Sequence, residues 1–165
     1  MTAALDIATR RETRAPSEAG RGTRAGGARP ARILVVEDEA LVGLEIQTGL
    51  ESVGYEVVGI ADRLAAAERL ARTAQPELAL IDIRLAGGDS GLDVAARFTA
   101  LGIPCMFLTG NCPEERGIGL ALGCLHKPFD ERQLLAAVQA VVSIARGGPA
   151  PERLPMGMHL FPRPS

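Results

Sequence analysis

The sequence predicts an α/β fold, a doubly wound parallel sheet covered by helices on both faces. Three observations carry this. Between residues 31 and 146, short apolar runs and amphipathic segments alternate five times. The runs are almost continuously apolar, as strands buried on both faces require. The order is strand then helix, repeated five times, a pattern that implies a parallel sheet covered on both faces by helices.

The elements follow in order. Arg32–Val36 reads as a strand rich in β-branched residues. Glu39–Val53 has helical spacing, with Leu41, Leu44, Ile46, Leu50 and Val53 on a broad apolar stripe. Glu56–Ile60 is a strand, and Leu64–Thr73 a helix stopped before Pro76. Glu77–Ile81 is the third strand, and its apolar run breaks at Asp82. Gly91–Leu101 is helical and Pro104–Thr109 a strand. Pro113–Leu122 is expected to be a helix, with Pro near its first turn. Cys124–His126 is a short strand. Asp130–Arg146 is the last helix, with Asp130 as its N-cap.

The flanks differ. Residues 1–30 are rich in Arg, Gly, Ala and Thr and lack aromatics, so they read as a disordered basic tail. Residues 1–32 hold seven Arg against three acids, which leaves +4 of charge there and −6 in the rest. Residues 147–165 carry five prolines and should be irregular. Met156, Met158, Leu160 and Phe161 are candidates to dock that segment on a surface. With 47% hydrophobic and 23% charged residues, the chain has a globular profile. Its net charge of −2 gives no global case for nucleic-acid binding. No apolar run approaches a membrane span, and the N-terminus lacks a secretory h-region. Cys105, Cys112 and Cys124 have neither CxxC spacing nor an even count, and read as reduced cytosolic thiols. A metal site made from them and His126 is the less favoured alternative.

Ligands of open α/β sheets sit beyond the carboxyl ends of the strands. Those ends hold Glu37 and Asp38, then Asp82, Thr109 and Lys127. Three carboxylates brought together repel and raise one another's pKa. Lys127 offsets one charge, and a hard divalent cation such as Mg²⁺ suits the remaining oxygens. The chain has seventeen Arg and a single Lys. A composition so tilted would supply Arg wherever any cation sufficed, so Lys127 reads as a required compact point charge rather than a stray surface residue.

The stretches "ILVVEDE", "LALIDIRL", "MFLTG" and "HKPFD" resemble the receiver domain of bacterial two-component response regulators across residues 31–146. The resemblance implies a flavodoxin-like five-stranded parallel sheet of order 2-1-3-4-5 with five helices. It implies that Asp82 accepts a phosphoryl group and that Glu37 and Asp38 organise Mg²⁺, with the Arg84 backbone carbonyl completing the metal shell. It further implies that Thr109 bonds the phosphoryl oxygen, that Lys127 binds the phosphoryl group, and that the Lys127–Pro128 bond is cis.

The implied function is a stand-alone, cytoplasmic phosphoacceptor rather than an enzyme. Phosphotransfer would be self-catalysed and loss of phosphate slow. The donor would be a histidine kinase or histidine phosphotransferase. Output would pass to an unknown downstream protein, with no DNA-binding domain and no membrane. Three features depart from the family pattern. "IRLAGGDSG" after Asp82 lacks the usual Met-Pro and is one residue longer, Gly110 follows Thr109, and Cys124 stands where an aromatic switch residue is usual. The alternatives are a non-phosphorylated scaffold and a HAD-type phosphatase. The latter needs a second Asp where this chain has Arg84. "GIGLALG" has the wrong spacing and place for a dinucleotide fingerprint.

Overall fold

The structure, a computed structural model, describes residues 29–162. The reading of residues 1–30 as a disordered tail therefore falls almost wholly outside the described residues. Ten main elements are present: β1 (Arg32–Val36), α1 (Ala40–Ser52), β2 (Glu56–Ala61), α2 (Leu64–Ala74), β3 (Leu78–Ile81), α3 (Gly91–Ala100), β4 (Cys105–Thr109), β5 (Gly123–His126), α4 (Glu131–Ala145) and β6 (Met158–Leu160). The strands form one sheet of order β2-β1-β3-β4-β5-β6. The first five are parallel, as expected.

The period-2 alternation of each strand divides the core in two. Ile33, Val35, Leu78, Leu80, Met106, Leu108 and Leu125 pack with Ile46 and Leu50 of α1 and with Leu134, Val138 and Val141 of α4. Their neighbours Leu34, Val36, Ile81 and Phe107 point the other way, onto Ala67 and Ala71 of α2 and Val94 and Phe98 of α3. Both faces of β1, β3 and β4 are thus sealed, which is why those strands contain almost no polar residue before their tips. Asp130 caps α4 through a full capping box: its side chain accepts from the Gln133 N–H, and the Gln133 side chain accepts from the Asp130 N–H.

Four expectations are corrected. First, Pro113–Leu122 is not a helix. Only a single 3₁₀ turn forms, at Glu114–Gly117, so the described chain has four α-helices instead of five. Gly117 and Gly119 each disfavour a helix by about 1 kcal/mol relative to Ala, and Gly119 sits at φ +79°. A side chain at Gly117 would also run into the ring of Phe161.

Second, the Pro-rich end is not wholly irregular. Met158–Leu160 adds antiparallel to β5, pairing Gly123 with Leu160, Cys124 with His159 and Leu125 with Met158. Phe161 is buried and meets Phe107 edge-on at 6.3 Å. The added strand covers an edge that would otherwise expose unpaired backbone groups.

Third, the apolar stripe on α1 is narrower than its spacing implies. Ile46 and Leu50 are buried, but Leu41 (76% exposed), Leu44 and Val53 face outward. The buried arc is instead completed by glycines. Gly43 lies against Ile60, and Gly49 against Glu131 of α4.

Fourth, Cys112 and Cys124 are joined as a disulfide, which replaces the expectation that all three thiols are reduced. Their Cα atoms are 6.1 Å apart. The pairing was hidden because Cys112 follows β4 while Cys124 lies within the neighbouring β5, and only strand adjacency brings them together.

Candidate functional site at the carboxyl rim

Parallel pairing aligns the strand tips. Val36 sits beside Ile81, and Thr109 beside His126. The residues that follow therefore emerge on one rim. Glu37 is 2% exposed, and Asp82 and Thr109 are also buried, the three buried polar side chains among the described residues. Glu37, Asp38 and Asp82 offer carboxylate oxygens that all lie within 4.8 Å of one another.

Lys127 reaches into this cluster. Its Nζ donates to Glu37 Oε2 at 2.7 Å and to Asp82 Oδ2 at 2.7 Å. The other oxygen of each acid is also used. Asp82 Oδ1 accepts from the Arg84 N–H at 3.1 Å, and Glu37 Oε1 from the Glu39 N–H at 3.2 Å. Both carboxylates are thereby oriented from two sides. The Lys127–Pro128 peptide bond is cis, as expected, and the Lys127 N–H donates to the Thr109 carbonyl at 2.9 Å.

Burial is the largest influence on Glu37 and raises its pKa. The Lys127 ammonium works against that rise, and repulsion from Asp82 is a lesser contribution. For Lys127, burial pulls downward, but the bonds to Asp82 and Glu37 outweigh it and hold the ammonium above its ordinary range. Desolvation thus weighs more on Glu37 than the mutual repulsion that the sequence emphasises.

The structure gathers Glu37, Asp38, Asp82 and Lys127 into one cluster and ends the adjacent strand with Thr109. Arg84 contributes through its backbone, while its side chain is exposed. Two supporting residues escape a sequence reading. A Cβ at Gly91 would collide with the Asp82 carbonyl, so only glycine lets α3 start this close to β3. The Gly91 N–H donates to the Ile83 carbonyl at 2.8 Å, and Arg84 bridges Ser90, which closes the loop after Asp82. Asp89 reaches back across the rim, where its Oδ2 accepts from the Leu64 N–H at 2.8 Å, at the start of α2. The only sequence signal for either was the glycine-rich loop itself. Beside Asp38, a cleft of about 470 Å³ opens between Asp62, Arg63, Gly87 and Asp89.

Oxygen donors grouped around a lysine have the chemistry that suits a hard cation and an oxyanion. Residues 33–139 match the response regulator receiver domain family. A transcriptional regulatory protein, PdtaR of Mycobacterium tuberculosis, is 34% identical over 130 residues, covering 75% of this chain and 62% of that one. The phyllosphere-induced regulator PhyR of Methylorubrum extorquens is 33% identical over 151 residues, covering 86% of this chain and 52% of its own length. The chain therefore spans little more than half the length of these relatives. Among solved structures, the signal receiver domain of a modulated diguanylate cyclase from Desulfovibrio desulfuricans superposes with a TM-score of 0.63 at 30% identity, covering 71% of this chain and 97% of that one. PhyR from Brucella abortus gives 0.55 at 29% identity, covering 71% and 47%.

Proposed function

The chain belongs to the response regulator receiver family, and we propose that it is a phosphoacceptor whose Asp82 carboxylate takes a phosphoryl group from a phosphohistidine donor. The observation that carries this reading is the position of Lys127, with its ammonium 2.7 Å from both Glu37 and Asp82. A carboxylate is a weak nucleophile toward a phosphate dianion unless charge at the phosphoryl oxygens is neutralised. Lys127 sits where it can do so.

In the transfer, an Asp82 oxygen forms a bond to phosphorus as the phosphorus–nitrogen bond breaks. The electron pair of that bond returns to the donor imidazole. The Arg84 N–H holds Asp82 in position, and the buried Thr109 hydroxyl donates to a phosphoryl oxygen. The donor set of Glu37, Asp38 and Asp82, with the Arg84 carbonyl, fits Mg²⁺, which takes oxygen ligands and keeps room for water and phosphate. When bound, Mg²⁺ supplies positive charge at the phosphoryl oxygens.

The partner is a histidine kinase or histidine phosphotransferase in the cytoplasm, and the product signals by protein contact. No helix among the described residues is long and apolar enough to cross a membrane.

The test is incubation with a small acyl phosphate and Mg²⁺, followed by peptide mapping of the hydroxylamine-labile adduct. Labelling is expected on Asp82 and is lost in Asp82→Asn. Label retained in that variant, or folded wild type that takes none, overturns the assignment and favours a scaffold. Lys127→Arg should fold yet lose most uptake, because a planar fork cannot replace a point charge between two oxygens. Uptake equal to wild type would show that any cation suffices.

A further inference from the structure

The chain contains two histidines and three cysteines. Both histidines and two of the cysteines meet at one place, the β5–β6 edge. Cys124 and His126 lie on the same face of β5, two residues apart, and His159 pairs directly with Cys124 across the antiparallel ladder. Cys112 comes from the loop after β4 and is bonded to Cys124. Cys112, His126 and His159 offer ligand atoms within 4.8 Å of one another. The imidazole rings of His126 and His159 are 5.7 Å apart, and His159 rests edge-on against Phe161 at 5.2 Å. The remaining cysteine, Cys105, is buried apart from this group, and its sulfur donates to the Ile103 carbonyl.

We infer that Cys112, Cys124, His126 and His159 form a Zn²⁺ site that is open when the cysteines are reduced and closed by the disulfide. Two thiolates and two imidazoles are a tetrahedral donor set for zinc, and a poor one for Mg²⁺. Ligand atoms of three of the four residues, Cys112, His126 and His159, are already grouped within 4.8 Å of one another. A disulfide sulfur is not a competent ligand, so the two states exclude each other. Opening requires a dithiol reductant. Its two thiols become one disulfide, the Cys112–Cys124 bond takes the two electrons, and two cysteine thiols result. Zn²⁺ then displaces the two thiol protons to water. His126 is exposed, which gives the ion a route in, while Cys112 and Cys124 are buried. This site is separate from the carboxylate rim in ligand chemistry, so it stands or falls independently of Asp82.

The probe is Co²⁺ titrated into the full chain, reduced and kept free of oxygen, with Zn²⁺ then added as competitor. The expected result is the ligand-field spectrum of tetrahedral cobalt with a thiolate charge-transfer band that saturates at one thiolate-bound ion per chain and is abolished by zinc. Oxidised protein should give no such band. Carboxylates cannot produce it, and Asp38→Asn should leave it unchanged. Replacing both imidazoles (His126→Ala with His159→Ala) should weaken binding by more than the roughly 10–100-fold that follows loss of an outer-shell partner. Neither histidine is buried, so this variant keeps the core intact. A reduced wild type without the charge-transfer band overturns the proposal, as does a double variant that binds as tightly as wild type.

Discussion

The carboxylate rim and the cysteine–histidine edge lie side by side at the ends of β4 and β5, yet they are held by opposite means. Charge balance holds the rim. Glu37 and Asp82 are buried anions shared by one ammonium. The edge is held by closure: a disulfide, an antiparallel strand and the Phe161 ring. The rim should therefore answer to charge and pH, and the edge to packing and redox state. Together they show that one sheet end can carry a preformed polar site beside a segment that has given up its helix.

Several perturbations would break that contrast or sharpen it. The largest effect is expected from Phe161→Ala. Phe161 fills the space over Gly117 and meets Phe107 edge-on. Truncating a buried Phe costs about 3–5 kcal/mol. Urea unfolding should show a loss of that size, while Asp82 labelling of the remaining folded protein stays near wild type. A loss below about 1 kcal/mol would mean that β6 is not integral to the fold.

Next in size is reduction of the disulfide in metal-free buffer. The bond links cysteines separated by 12 positions. Closing a loop of about that length restricts the unfolded chain by roughly 2–3 kcal/mol. Denaturation with and without a dithiol measures the difference directly. A reduced protein as stable as the oxidised one would show that packing alone closes the edge.

A smaller effect, about 1–3 kcal/mol, is expected from Gly91→Ala, because the new methyl group must push the Asp82 carbonyl aside. This change belongs to the rim, so phosphoryl uptake should slow as stability falls. Normal uptake would show that the close approach of α3 does not position Asp82.

The smallest effect concerns pH. The Glu37 pKa is raised in the folded state, chiefly by burial. The native state then holds this proton more tightly than the unfolded chain does. The Glu37 contribution to stability should therefore improve as pH falls from neutral toward the unfolded value of 4.5. The slope for one proton is no steeper than about 1.4 kcal/mol per pH unit. Lys127 has the opposite placement on the scale. With its pKa raised, its contribution is complete below 10.5 and is lost as pH rises through the higher folded value. Comparing wild type with Glu37→Gln across acid pH isolates the first effect. A difference that is flat, or that worsens on acidification, contradicts it.

Local pattern was enough to place the parallel strands and the rim, while the order of the strands came from the family resemblance. Glu37, Asp82 and Thr109 each directly follow a run of buried apolar residues, as Asp82 follows Leu78–Ile81, and Asp38 and Lys127 come one residue further on; parallel strands bring their tips to one end whatever the loops do. Side-chain alternation and strand length are short-range properties, so Glu37, Asp38, Asp82, Thr109 and Lys127 could be read in order along the chain. The edge was decided by tertiary structure. Nothing near Pro113–Leu122 announces that a phenylalanine from beyond α4 will occupy the space against Gly117. Nor does any local spacing pair Cys112 with Cys124, or bring His159 beside His126. Leu41 and Leu44 fit a helical stripe but face outward, because the neighbouring arc of α1 packs instead, with Gly43 against Ile60 of the sheet and Gly49 against Glu131 of α4. These outcomes depend on which distant segment fits a surface best, a competition among packings that no local periodicity encodes.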